Sequence, residues 1–141
     1  MHNLMKHQGN VSDFAYLRNA ELMAAFRKVL DEKQFFDINK DFELVVNQPC
    51  SRFWVSEERE TIVVAAIMRG QPIIHTMRPT KQEMFLEIYH RTIALRKERH
   101  NTRLFDIVFE VVNSPAPKFY MRPLYASKII YLIKQGQYKV Q

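Results

Sequence analysis

Apolar residues recur at helical spacing in six stretches of the chain, separated by short polar or proline-containing segments. The first predicts a helix over about 13–32 with Ser12 as its N-cap; its apolar positions are Phe14, Leu17, Leu22, Met23, Phe26, Val29 and Leu30. The second stretch, FFDINKDFELVVN, predicts a shorter helix that carries Phe42, Val45 and Val46 and that Asp37 or Asn39 could cap. A strand is the alternative there, because FELVV is rich in strand formers.

The third stretch follows a proline-containing connector. Pro49 ends the second element, and residues 51–55 are predicted to be extended. Ser56 followed by two glutamates favours a helix start, since acidic side chains suit the positive end of a helix dipole. Gly70 is a natural residue to follow the helix end. TIVVAAIM alone also fits a buried strand, but its counterpart later in the chain has helical spacing.

The second half of the chain repeats this order of elements. Thr80 to Glu83 forms a capping-box pattern that predicts the start of a helix, whose apolar face comprises Met84, Phe85, Ile88, Thr92 and Leu95. A further helix is predicted over about 103–113. Pro123 then stands at a first-turn position of the last predicted helix, PLYASKIIYLIK.

The likeness between the halves extends to individual residues. Adding 66 to each number of Val45–Gln71 gives Val111–Gln137 without a gap, and eight of the 27 pairs are identical. We therefore predict a tandem duplication of a three-helix unit, each with the order helix, helix, extended connector, helix. The predicted organisation is an N-terminal tail (1–11), first repeat (12–71), linker (72–79), second repeat (80–137) and C-terminal tail (138–141), with both repeats in one compact domain.

The predicted fold class is mostly α. The connectors Arg52–Val55 and Lys118–Met121 could pair as a short two-stranded ribbon across a two-fold axis, because each otherwise leaves backbone groups unpaired. Phe53 and Phe119 are expected to be buried, each between the second and third helices of its own repeat. The second helix, connector and third helix also resemble a helix-turn-helix in outline, although the connector is longer than its usual turn.

Composition limits where the protein acts. The single cysteine, Cys50, excludes an intrachain disulfide and fits a reducing compartment. The N-terminus has no apolar segment typical of a signal peptide, and the longest apolar run, Ile62–Met68, is far shorter than a membrane span. We therefore expect a cytoplasmic protein without a membrane partner.

No set of residues predicts catalysis or cofactor binding. Of the five histidines, two lie in the predicted tail and one in the linker, and His90 and His100 are interpreted as surface residues without a ligand partner. No glycine-rich phosphate loop is present. Cys50 follows a proline and suits a small buried site better than a nucleophile. Glu57, Glu58 and Glu60 are interpreted as helix-start charges. The prediction is a protein that is not an enzyme, with no cofactor and no metal.

The charge pattern points to nucleic acid. Residues 11–71 carry a net charge of −2 and residues 72–141 a net charge of +7, and Ser114 to Gln141 contain no acidic residue. The connectors also place a cation beside two aromatic rings, which suits phosphate contact and base stacking. The alternative for the connectors is that the rings pack between helices under the stem of the cation. The alternative for the charge difference between the halves is random drift of charged residues on solvated surfaces.

The function predicted from these patterns is non-catalytic nucleic-acid binding, with duplex DNA as the expected ligand, by helix-turn-helix-like repeats of bacterial or phage type. The candidate contact residues are Lys118, Tyr120, Arg122, Tyr125, Lys128 and Lys134, with Arg96 and Arg99 on or near the first helix of the second repeat. The alternative is a structural or assembly adaptor that binds another protein. The sequence leaves the target and the oligomeric state open.

Overall fold

The computed structural model describes residues 14–136, and within that range it is built from α-helices without a β-strand. The mostly α fold class is thus confirmed. The helices are α1 (Ala15–Glu32), α2 (Phe42–Val46), α3 (Glu57–Met68), α4 (Pro79–Glu98), α5 (Leu104–Val112) and α6 (Pro123–Lys134), and one turn of 3₁₀ helix (Ile74–Thr76) lies between α3 and α4.

Local signals set most helix ends. Ser56 caps α3 as predicted, because its hydroxyl accepts a hydrogen bond from the Arg59 N–H at 3.1 Å. Pro123 is the first residue of α6, also as predicted. The predicted capping box at Thr80 is wrong, since α4 begins one residue earlier at Pro79. Proline at the first helical position has a favourable fixed φ and needs no N–H partner. The predicted cap Ser12 lies outside the described residues.

The third helices of the two repeats have matching ends. α3 and α6 both contain 12 residues, and their bounds differ by the same 66 positions that relate the sequences. Their N-cap residues share φ −75° and ψ 145°. Gly70 and Gly136 follow them with φ of 80° and 77°. Glycine adopts this left-handed conformation at the lowest cost because it has no Cβ, which explains why both positions carry it.

The third helices are exchanged between the repeats. α6 packs on α1 and α2, whereas α3 packs on α4 and α5. Each group of three helices therefore takes two helices from one repeat and the third from the other. We expected Phe53 and Phe119 to brace the second and third helices of their own repeats, and that expectation is wrong.

The connectors cross at one point and produce this exchange. Cys50 and Ala116 form an isolated antiparallel bridge, with both N–H···O distances at 3.0 Å. Beyond it, the N–H of Phe53 donates to Val112 of α5, and the N–H of Phe119 donates to Val46 of α2. These last two bonds are counterparts under the 66-residue offset. The ribbon predicted for 52–55 and 118–121 is not seen among residues 14–136, because these backbone groups bond to helix ends instead.

Aromatic rings fill the crossing. Phe53 and Phe119 are 0% and 2% exposed, so their predicted burial is confirmed. Phe53 stacks on Tyr120 with ring centroids 5.8 Å apart, and Trp54 stacks on Phe119 at 6.3 Å. Each stack joins one connector to the other, and the core is therefore continuous across both repeats.

None of the helices in residues 14–136 combines the length and apolar character that crossing a bilayer requires.

Candidate nucleic-acid interface

The exposed face of α6 carries three of the eight predicted contact residues, Arg122, Tyr125 and Lys128. α6 buries Ala126, Ile129 and Ile130 against α1 and α2. This apolar stripe fixes the rotation of the helix and turns the opposite side outward. We call that side the α6 face, and it comprises Arg122, Leu124, Tyr125, Lys128 and Tyr131, all exposed.

The α6 face borders open grooves. One groove of about 640 Å³ is lined by Arg122, Leu124, Tyr125, Ser127, Lys128 and Tyr131. A second shares Arg122, Leu124 and Ser127 and extends to Ile38 and Asn39, in the segment before α2. The surface of this second groove is therefore contributed by both repeats, because α6 packs on α1 and α2.

Charge on the α6 face has one sign. Arg122 and Lys128 are exposed, and residues 114–136 contain no acidic residue. The acidic residue closest in sequence to the groove-lining segment is Asp37, whose carboxylate accepts the Asn39 N–H at 2.9 Å. Such a surface attracts anions and repels other cationic surfaces.

Lys134 lies at the far end of the same helix. Its ammonium is 4.8 Å from the centre of the Phe26 ring of α1. It lines a third groove, together with Ser127 and Tyr131 and with side chains of α1, α2 and the segment between them. Lys134 is exposed, so it extends the basic surface along α6 towards α1.

Two other predicted residues, Lys118 and Tyr120, belong to the connector crossing. The Lys118 ammonium forms an ion pair with Glu83 at 2.6 Å. Tyr120 is half-buried against Phe53 and has a positive φ of 55°. Burial and then the nearby carboxylates of Glu87 and Glu83 raise the pKa of Tyr120 to about 12. Its ring is thus engaged with the core.

Arg96 and Arg99 stand apart from the α6 face. Both belong to the α4 region, which packs with α3 and α5 rather than with α1 and α2. Arg99 pairs with both carboxylate oxygens of Glu110 at 2.7 and 2.9 Å, and the Arg96 guanidinium contacts the Met68 sulfur at 3.6 Å. The exchange has therefore separated cations that the sequence suggested would act together.

The first basic–aromatic connector follows the packing alternative. The Arg52 guanidinium donates to the carbonyls of Phe53 and Val55 at 2.9 and 2.7 Å and lies 4.9 Å from the centre of the Phe14 ring. It also approaches Glu57 at 3.7 Å. Burial lowers the pKa of Arg52, but these partners satisfy its charge within the fold.

The helix-turn-helix likeness stops at the order of the elements. A helix-turn-helix joins two packed helices by a turn of three or four residues. Here the main third-helix partner of α2 is α6, and that of α5 is α3. The connector leads the third helix away to the other repeat, so consecutive helices do not form that motif.

Glu60 departs from its predicted role as a helix-start charge. It is 0% exposed within α3, and neither carboxylate oxygen has a hydrogen-bond partner among the described residues. Burial raises the pKa of Glu60 to about 9, against a smaller opposite effect of Arg59. The group is therefore protonated at neutral pH, and it lies inside α3 rather than stabilising its exposed N-terminus.

Two further kinds of reactive group, potential metal ligands and the single thiol, can be placed in residues 14–136. No group of three or more His, Cys, Asp or Glu side chains is arranged to hold a metal ion there. Cys50 is buried at the connector crossing, and burial raises the pKa of its thiol to about 11. It is thus a protonated thiol at neutral pH.

Sequence reasoning missed three residues of the α6 face and its groove: Leu124, Ser127 and Tyr131. Leu124 and Tyr131 lie opposite the buried isoleucines and could have been found from helical spacing. Ile38 could not, because its proximity to α6 depends on the helix exchange. Comparison of the chain with protein-family models, curated proteins and solved structures found no match.

Proposed function

We propose that the protein is a non-catalytic nucleic-acid-binding protein, with DNA as the expected ligand, and that the α6 face is its contact surface. The observation that carries the proposal is an exposed helix face where Arg122 and Lys128 stand without an acidic neighbour on the same helix. Cations in such a setting bind phosphates and release counterions.

The position of these cations supports this use. Lys118 and Arg99 already have ion-pair partners in the fold, so they would have to exchange a carboxylate for a phosphate. Arg122 and Lys128 have no ion-pair partner among residues 14–136, and both line the same groove. Arg122, Lys128 and Lys134 are thus the proposed primary contacts, with Tyr125 beside them.

Salt dependence tests the proposal. The variant Arg122→Ala/Lys128→Ala should bind DNA more weakly across all sequences. Its log–log salt slope should be smaller by about two phosphate contacts, which is roughly 1.8 for a duplex and roughly 1.4 for a single strand. The measurement is fluorescence anisotropy of a labelled oligonucleotide at several salt concentrations.

A matched control removes the same charge elsewhere. Arg59 and Lys81 are exposed on α3 and α4, in the other group of helices. The variant Arg59→Ala/Lys81→Ala should keep nearly the parental slope. Equal losses in the two variants, or no binding by the parent at low salt, would contradict the proposal. Arg52 is unsuitable as a control because its guanidinium supports the fold.

A second candidate function, an assembly adaptor, is favoured by α5. Phe105 and Phe109 of this helix are 36% and 47% exposed, with ring centroids 6.0 Å apart. Ile62 of the packed helix α3 is also exposed. An apolar surface of this kind suits a protein partner. Capture of one protein with little sensitivity to salt, lost in Phe105→Ser/Phe109→Ser, would favour the adaptor.

We further propose that the chain arose by tandem duplication and acts in the cytoplasm. Supporting the duplication are the shared 66-residue offset of α3 and α6 and the equivalent backbone bonds from Phe53 and Phe119. An ancestral single repeat would then have paired with a second copy through exchanged third helices. Expression of residues 12–71 alone tests this, since a dimer is expected and a folded monomer would contradict it.

A further inference from the structure

Two aromatic rings on the α6 face are largely exposed and are not part of the buried core. Tyr125 is 45% exposed and Tyr131 is 61% exposed, and both line the groove that holds Arg122 and Lys128. Together with the exposed Leu124 they form one apolar patch along the groove, and a contiguous patch of this kind marks a contact surface more often than a single exposed ring does. Their neighbours are cations, so an anionic ligand with apolar faces would match both features.

Helix geometry places Lys128 between the two rings. Tyr125, Lys128 and Tyr131 are three residues apart, so each step turns about 60° around the helix and rises about 4.5 Å. The two rings are therefore separated by about 9 Å along the axis with a cation between them. A surface that alternates ring, cation and ring has the composition of a single-strand binding groove, where bases stack on rings and phosphates meet cations.

This composition favours a single strand over a duplex. In a duplex the base faces are stacked on one another, and a protein reaches only phosphates and base edges. Exposed tyrosine rings gain stacking energy only from bases that are unpaired. The apolar side chain of Leu124, 72% exposed beside the same groove, adds surface for a base or sugar.

We propose that the α6 face binds single-stranded nucleic acid, with bases stacked on Tyr125 and Tyr131 and phosphates bound by Arg122 and Lys128. This inference rests on the proposed function and specifies the form of the ligand. The chemistry of stacking and phosphate contact is common to DNA and RNA, and the experiment separates the two.

The test compares three labelled ligands of about 15 nucleotides, a length that covers one binding site. They are oligo-dT, oligo-U and a DNA duplex of mixed sequence, each titrated with the full chain in fluorescence anisotropy. The parent should bind the single strands more tightly than the duplex at the same salt concentration. A preference for oligo-U would identify RNA as the source, and equal binding would show that the protein reads the shared single-stranded form.

Tyrosine variants test the stacking itself. Tyr131→Ala and Tyr125→Ala should each weaken single-strand binding by between about fivefold and about 150-fold, the range seen for loss of one stacked base. Tyr131→Phe and Tyr125→Phe keep the ring and should bind within about twofold of the parent. Duplex binding by the alanine variants should stay close to parental, because phosphate contacts remain.

The outcomes distinguish the two proposals. Tighter binding of the duplex, or equal losses in the phenylalanine and alanine variants, would overturn the single-strand inference while phosphate binding by Arg122 and Lys128 stands. No binding of any ligand at low salt would overturn the proposed function as well. Thermal melts of all four variants should match the parent because both rings are exposed, and they serve as the folding control.

Discussion

Replacing the buried Glu60 with methionine should stabilise the protein and remove much of its dependence on pH. Glu60 is fully buried in α3, neither oxygen has a partner among the described residues, and its counterpart in α6 is the buried Ala126. Methionine fills a similar volume without a polar group. The variant thus removes a polar group from the core with little change in packing.

The size of the effect follows from linkage. The pKa of Glu60 rises from 4.5 to about 9 on folding, so between these values the folded protein holds a proton that the unfolded chain has released. Stability from this proton is fully present below pH 4.5 and is lost as the pH rises towards 9. The free energy of unfolding should fall by about 1.4 kcal/mol per pH unit, or about 3 kcal/mol between pH 6 and pH 8.

Urea unfolding at pH 6, 7 and 8 measures this slope. The parent should lose stability across the range, whereas Glu60→Met should lose much less and be the more stable protein at pH 8. Glu58→Gln is the control, because Glu58 is exposed on the same turn of helix and should leave the slope unchanged. A Glu60→Met protein with the parental slope would refute the assignment of the pH dependence to this carboxyl.

Three further predictions concern the connector crossing and the linker. Phe53→Ala and Phe119→Ala should each lower the free energy of unfolding by about 3–5 kcal/mol, through lost burial and a residual cavity; parental thermal melts would contradict this. The Cys50 thiol, with its pKa of about 11, should react with Ellman's reagent only as fast as the protein opens, and complete reaction within seconds in native buffer would exclude its burial. Proteolytic cleavage at a site inserted between Gln71 and Met77 should leave two fragments that co-elute in gel filtration, because α3 and α6 each pack on helices of the opposite fragment; separation without denaturant would argue against the exchange.

Most helices could be predicted from sequence because their signals are local. The apolar periodicity of α1, the serine cap of α3 and the proline at the start of α6 all act within a few residues. The FELVV segment also forms the predicted helix, although its strand-forming residues left a strand as the alternative. The capping box failed because Pro79 provided a competing start one residue earlier.

The exchange of third helices could not be predicted, because nothing local distinguishes it. A third helix offers the same apolar stripe to its own repeat and to the other one, and the two repeats are similar in sequence. Which repeat it joins depends on the path of the connector, decided by the bridge between Cys50 and Ala116 and the bonds to Val46 and Val112.

The candidate site could be predicted only in part, because local spacing groups some of its residues and the helix exchange separates others. Tyr125 and Lys128 share one helix, Arg122 is its N-cap residue, and their proximity follows from spacing alone. The sequence predicts Arg96 and Arg99 as further contacts because residues 72–141 carry the positive net charge, and this prediction requires the second repeat to pack as one unit. The exchange places α6 on the first repeat, so net charge along the chain does not correspond to charge in space.

The crossed connectors also govern the order in which the molecule can be completed during synthesis. α1 and α2 leave the ribosome early, yet the helix that covers them, α6, begins at Pro123, about 80 residues after α2 ends. At ordinary translation rates of about 5–20 residues per second, α6 begins to be synthesised roughly 4 to 16 seconds after α2 is complete. α4 and α5, by contrast, find α3 already made. We expect the group of α3, α4 and α5 to form first on the nascent chain, and the group that carries the α6 face to form last.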